Sequence, residues 1–231
     1  MGTSGTTDFN PSIDEVIQEA YQRCGLTTTS GYDLKSARRS LNILFSEWGN
    51  RGVHLWKVSL HENLLVSGQA AYTVASDVSD VLEAYVSSTA TASDTVETSD
   101  ISLTKIDRSA YAALPNKYSK GQPSQYYVER LKIPKIFLYQ TPDVSFYTYL
   151  KYYVIKRIED AGAYSNDTDL IYRFFPAMCS GLAYYLSMKK VPQLTPTLKL
   201  IYEDDILRAL LEDGQRTSSY ISPQTYFGDG V

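Results

Sequence analysis

The sequence predicts a mixed α+β protein: a four-helix bundle formed by N- and C-terminal helix pairs, with an inserted antiparallel β-sandwich or barrel-like domain. Three observations predict it. Apolar residues repeat at helical spacing near both ends of the chain, they alternate with period two across the middle, and Pro, Gly and Asp turns cut that middle into short segments. Two helices at each end pack most economically against one another, which leaves the strands as an inserted lobe. The expected boundaries are a flexible leader at 1–10, the bundle at 11–52 and 166–213, the β-rich insert at 53–165 and an extended C-terminal arm at 214–231.

The first helix begins at a capping box, Ser12-Ile13-Asp14-Glu15, in which hydroxyl and carboxylate each satisfy a backbone N–H of the other. Ile13, Val16, Ile17, Ala20, Tyr21 and Cys24 form its apolar stripe, and Gly25 supplies a left-handed stop. After a Thr/Ser/Gly turn, Leu34, Ala37, Leu41, Leu44, Phe45 and Trp48 form a second stripe, ended by Gly49-Asn50-Arg51-Gly52. The short link makes the pair an αα-hairpin. Cys24 and Cys179 lie on apolar helical stripes and read as small buried thiols rather than a disulfide or a metal site.

From Val53 the period is two. Leu55, Lys57, Ser59 and His61 alternate with Trp56, Val58, Leu60 and Glu62, followed by strands at 71–74 and 81–86, a polar hairpin tip at 87–100, ISLTKI from Ile101, Gln125–Val128 and Lys135–Tyr139. The last strand, within FYTYLKYYVIKR (Phe146 to Arg157), holds four tyrosines in seven residues. One face carries Phe146, Thr148, Leu150, Tyr152 and Val154 and can enter a core. The other carries Tyr147, Tyr149, Lys151, Tyr153 and Ile155, an amphipathic aromatic surface of the kind found at protein interfaces, glycan sites and layers beneath polar lids.

Helices return after Asn166-Asp167-Thr168-Asp169, an expected N-cap region. Phe174, Met178, Leu182 and Tyr185 form a stripe with Pro176 in the first turn, and Ala177, Ser180 and Gly181 form a flank on which another helix can lie close. The final helix, about Pro196 to Glu212, turns Leu198, Ile201, Tyr202, Ile206, Ala209 and Leu210 inward and carries Lys199/Glu203 and Asp204/Arg208 pairs outward. The arm beyond Gly214 lacks periodicity but carries Tyr220, Ile221, Tyr226 and Phe227 as scattered anchors, and reads either as a frayed terminus or as a segment that orders by lying on a partner.

Composition limits the function. The 231 residues include twenty tyrosines against seven phenylalanines and carry a formal net charge of −4, without the basic excess of a tight duplex binder. No apolar run reaches membrane-span length and no signal peptide opens the chain. Met1 to Thr6 fits the myristoylation pattern, but nothing basic follows, so it reads as a flexible leader. His54 and His61 are seven apart, which places them on opposite faces of one regular strand and argues against a metal pair. Glu203-Asp204-Asp205 splays around a helix as a solvated face rather than an acid/base site. No nucleophile elbow, P-loop or dinucleotide fingerprint occurs. Neither an enzyme nor a cofactor is expected. Lys35, Arg38 and Arg39 form a basic edge on the second helix, which reads either as a solvated surface or as a contact for a partner's acidic rim.

The segments LNILFSEWGNRGVHLWKV (Leu41 to Val58), GQAAYTV (Gly68 to Val74), ISLTKIDRSAYAALPNKYSKGQPSQYYVER (Ile101 to Arg130) and FFPAMCSGLAYYLSMKK (Phe174 to Lys190) together resemble the head-to-tail adaptor of short-tailed bacteriophages, the tail tubular protein A or head-tail connector family. The resemblance implies a structural virion protein, assembled in the host cytoplasm, of which twelve copies ring the neck between head and tail. Its implied partners are the portal above, contacted by the bundle and the C-terminal arm, the tail nozzle beneath, and double-stranded DNA passing through. On this reading Tyr147, Tyr149 and Tyr153 meet a neighbouring protomer or the nozzle, and Tyr220, Ile221, Tyr226 and Phe227 dock on the portal, where Lys35, Arg38 and Arg39 are a portal-facing edge. The mild acidity suits a conduit through which phosphates slide. The alternative reading is a glycan-binding or glycan-cleaving tail component.

Overall fold

The opening capping box forms as expected: Glu15 N–H donates to Ser12 Oγ at 3.4 Å and Ser12 N–H donates to the Glu15 carboxylate at 2.8 Å. It starts helix α1, Ile13–Arg23, which stops where Gly25 takes φ +69°. The computed structural model describes residues 5, 9–27, 30–52, 57–90, 100–145, 147–163 and 165–213. Most of the leader, His54, the hairpin tip at 91–99, Phe146 and the whole C-terminal arm lie outside them.

The chain is mixed α+β. Helix α2 (Gly31–Asn50) follows α1, and the strands are β1 (Val58–Leu64), β2 (Ala71–Thr73), β3 (Val78–Ser87), β4 (Ile101–Ser102), β5 (Thr104–Ile106), β6 (Lys120–Gly121), β7 (Gln125–Glu129), β8 (Lys135–Tyr139), β9 (Thr141–Pro142) and β10 (Tyr149–Lys156). A short helix α3 (Arg108–Ala113) interrupts them, and α4 (Phe175–Lys190) and α5 (Thr195–Asp213) end the described chain.

Helix α4 is the hub of the helical region and packs against α1, α2 and α5. Its sequence, FPAMCSGLAYYLSMKK, has no polar face before the terminal lysines, the pattern of a helix buried on several sides. Pro176 occupies its first turn, where the missing N–H costs nothing. Gly181 is the point of closest approach: a Cβ there would lie 2.9 Å from both Leu44 Cδ2 of α2 and Tyr202 Cε2 of α5. The small-residue flank thus does what its sequence promised.

The β region contains two four-stranded sheets, in the orders β1-β10-β3-β4 and β2-β8-β7-β5. Val81, Val86, Leu150, Tyr152 and Val154 of the first meet Tyr72, Tyr126, Val128, Ile136 and Leu138 of the second in one core, separate from the core of the helices. ISLTKI is not one strand: it breaks at Leu103 and moves from the first sheet, as β4, to the second, as β5.

Four expectations need correction. The β region is not wholly antiparallel, because β5 pairs with β7 and β6 with β9 in parallel. Parallel neighbours require a crossover, and α3 lies in the one between β5 and β7, capped by Asp107, whose carboxylate accepts from Ala110 N–H at 2.6 Å. Asn166–Asp169 does not cap a helix. Ser12 and Asp167 form a β-bridge, Asn166 O accepts from Ile13 N–H at 3.0 Å, and the next helix is entered through a 3₁₀ turn at Tyr172–Phe174. Ile201 faces outward, 44% exposed, because Tyr202 takes the inward direction beside Gly181. Glu203 is held from α2 rather than by Lys199, with Arg51 Nη1 and Nη2 donating to its two oxygens at 2.6 and 2.8 Å.

Candidate protein interface

Strand β10 is flanked on both sides, so its outward residues sit at the middle of a continuous surface. Tyr149, Lys151 and Tyr153 stand opposite Leu64, Glu62 and Leu60 of β1, and opposite Ser87, Tyr85 and Glu83 of β3. The alternate residues Leu150, Tyr152 and Val154 enter the core. The period-two reading therefore holds from Tyr149 to Val154 and fails at Tyr147, which lies before the strand and packs against the β core instead of facing outward.

The outward face is apolar and aromatic around a satisfied charge. Leu64 is 59% exposed and Tyr153 39%, and Leu60 is also exposed. The Tyr153 and Tyr85 rings meet edge to face, centroids 6.4 Å apart, and the Tyr85 hydroxyl donates to Glu83. That hydrogen bond raises the Tyr85 pKa, with burial and the Glu83 charge adding to it. Lys151 is only 5% exposed and its ammonium lies 3.7 Å from Asp100. Tyr147 is set apart: it precedes the strand, is half-buried and packs against the β core.

A bulge shapes the same face. Tyr153 pairs with Glu83 and Val154 with Val81, so Leu82 has no opposite residue and is pushed outward. Its carbonyl accepts from Tyr126 Oη of the second sheet at 2.9 Å, which ties the distortion to the core. Burial pushes the Tyr126 phenol up to about 12.

The basic edge is divided. Lys35 and Arg39 are exposed, but Arg38 is half-buried and its Nη1 donates to Gly162 O at 2.9 Å, holding the segment that returns from the β region. Lys189, which composition alone did not single out, joins the edge from α4 and donates to Ser40 Oγ at 2.6 Å. Burial and then the Arg39 charge lower its pKa. The anchors Tyr220, Ile221, Tyr226 and Phe227 lie outside the described residues.

Two surfaces escaped the sequence reading. Leu200, Leu207 and Leu211 are exposed on the side of α5 opposite Tyr202 and Ala209, and their i, i+7, i+11 spacing was the signal that could have found them. Phe9, Val16, Tyr172 and Phe175 line a groove beside α1 and α4, where the Phe9 and Phe175 rings meet edge to face at 6.0 Å. Cys179 borders it, its thiol pushed up to about 11 by burial. Among the described residues no three His, Cys, Asp or Glu side chains gather as a metal site requires, and no helix is long and apolar enough to cross a membrane. Compared with models of protein families and with curated proteins, the sequence matches none.

Proposed function

We propose that this chain is a non-enzymatic structural protein, a head-to-tail adaptor that rings the neck of a short-tailed phage between portal and tail nozzle and lets DNA pass. The carrying observation is the outward face of the first sheet, where Leu60, Leu64, Tyr85, Tyr149 and Tyr153 surround a lysine already paired within the chain. Such a face gains little from further charge and much from being covered by protein. Its tyrosines are spread over two strands instead of gathered in a groove with polar neighbours, which favours a protein partner over a sugar. In this reading α1, α2, α4 and α5 act as a four-helix bundle that meets the portal, and the β region is an inserted sandwich that meets neighbouring copies or the nozzle. Tyr149 and Tyr153 serve the lateral or nozzle contact, and Tyr147, which packs against the β core, borders it. Tyr220, Ile221, Tyr226 and Phe227 dock on the portal, and Lys35 and Arg39 face its acidic rim. The family stoichiometry of twelve copies carries over with the resemblance.

The test is mass by light scattering, on the protein alone and mixed with the portal of the same phage. A large complex of fixed stoichiometry is expected, and the absence of association under both conditions overturns the proposal. Removing residues 214–231 is expected to leave a folded protein that no longer joins portal-bearing heads. Undiminished joining removes the arm from the account.

A further inference from the structure

The groove beside α1 and α4 has a volume of about 620 Å³ and aromatic lips. Phe9 and Tyr172, 74% and 73% exposed, border a floor of Val16, Phe175, Pro176 and Cys179. Glu15, Glu19 and Arg23 line the α1 side, but each is already engaged: Glu15 closes the capping box, and Arg23 Nε donates to the Glu19 carboxylate at 2.8 Å. Apolar and aromatic contact, more than charge, therefore recognises whatever fills this groove.

Helix α5 delivers the C-terminal arm to the mouth of the groove. Tyr202 lies beside Gly181 in the middle of α4, and α5 also packs against the 3₁₀ turn Tyr172–Phe174 that precedes α4. So α5 runs back along α4 and ends, at Asp213, toward the end of α4 that Tyr172 and Phe175 mark. The Cys179 thiol, raised chiefly by burial, also feels Arg23 and Glu19 of α1 and Asp205 of α5, which sets the groove floor between those two helices. Tyr220 follows Asp213 by seven residues, up to about 23 Å of extended backbone. That length is enough to turn back across a helix about 10 Å wide.

We propose that the C-terminal arm of the same chain folds back into this groove while the protein is free, seating Tyr220, Ile221, Tyr226 and Phe227 between Phe9 and Tyr172. The chemistry of the two chain ends selects the arm. Met1 to Asp8 has no apolar side chain beyond Met1, whereas the arm carries these four and has no charged side chain from Thr217 to Gly228. It enters an apolar groove without desolvating a charge. Pro223 biases Ser222 toward extended backbone, the form that lies along a groove. The inference goes beyond the adaptor reading and needs no portal. Where both hold, groove and portal compete for the same four side chains, and the portal draws the arm out.

Cys179 reports on the groove. Its alkylation by iodoacetamide, assigned by peptide mass and followed at one fixed alkaline pH, is compared between the full chain and a full-length variant carrying Tyr220→Ser, Ile221→Ser, Tyr226→Ser and Phe227→Ser, with circular dichroism to check that the helices are kept. The parent is expected to react about tenfold more slowly or slower still, because a groove covered about nine-tenths of the time reacts at about a tenth of the open rate. A peptide copying 214–231 is expected to restore protection to the variant. Phe9→Ser and Tyr172→Ser, both at exposed positions, are each expected to weaken protection in the parent. Equal rates in parent and variant overturn the inference. Protection lost on dilution assigns the groove to another copy's arm, and protection lost on deleting residues 1–8 assigns it to the leader; either outcome discards in-chain docking of the arm. A parent that is protected yet never joins the portal keeps this inference and discards the adaptor reading. Joining by a parent whose Cys179 was never protected does the reverse.

Discussion

Tyr202 shows how one side chain joins two helices. It is buried, accepts from Trp48 Nε1 at 2.9 Å and donates to Glu47 Oε2 at 2.6 Å, while the Arg51 guanidinium lies 5.3 Å from its ring centre. Tyr202→Phe leaves the buried Trp48 N–H without its acceptor and is expected to cost about 1–3 kcal/mol in chemical denaturation. A loss below a few tenths would show that the network is incidental. Burial and the bond to Glu47 raise the Tyr202 pKa, so the folded chain keeps this proton at pH values where the unfolded chain, near its ordinary value of about 10, has released it. Tyr202 therefore contributes fully below that pH, and its contribution falls as pH rises toward the folded value. The expected observation is alkaline destabilisation starting near pH ~10, with a shallower slope in Tyr202→Phe than in the parent.

At the scale of elements, close approach outweighs helix propensity. Replacing a helical glycine by alanine ordinarily gains about 0.5–1 kcal/mol. At Gly181 the added methyl would stand 2.9 Å from Leu44 and Tyr202, both fully enclosed, and overpacking of that kind costs about 1–3 kcal/mol. Gly181→Ala is therefore expected to lower the melting temperature, and an increase would show that α2 and α5 have room to retreat. What was legible in the sequence was local: the capping box at Ser12, the stop at Gly25, Pro176 in its first turn, and the alternation that turns Tyr149 and Tyr153 outward. What was not legible depended on partners far along the chain. Arg38 reads as surface charge until Gly162 is placed beside it, Glu203 reads as an i,i+4 partner until Arg51 arrives from another helix, and α3 is too short to declare a period.

For the whole molecule, the decisive arrangement is two cores joined by a clamped strap. The chain returning from β10 is held to α2 by Arg38 on Gly162 O and by Asn42 Oδ1 accepting from Ala161 N–H at 2.7 Å, and the ion pair of Lys57 with Asp169 ties it to the segment that leads into β1. Each core can keep its apolar contacts without these bonds, so they couple the cores more than they build them. Replacing Arg38 and Asn42 together by alanine is expected to broaden or split the calorimetric unfolding transition. A sharp, unshifted transition would show that the coupling lies elsewhere.

The position of α4 also carries a consequence for synthesis. The N-terminal helices find their main apolar partner in a helix that begins at Phe175, long after α2 ends at Asn50. At ribosomal rates of about 5–20 residues per second, the stripe from Ile13 to Trp48 waits roughly six to thirty seconds for the helix that covers it. During that interval the nascent chain offers sticky surface to whatever is near. Neighbouring copies emerging from one polysome, and the chaperones that keep them apart, meet this protein first through the residues that its finished form hides.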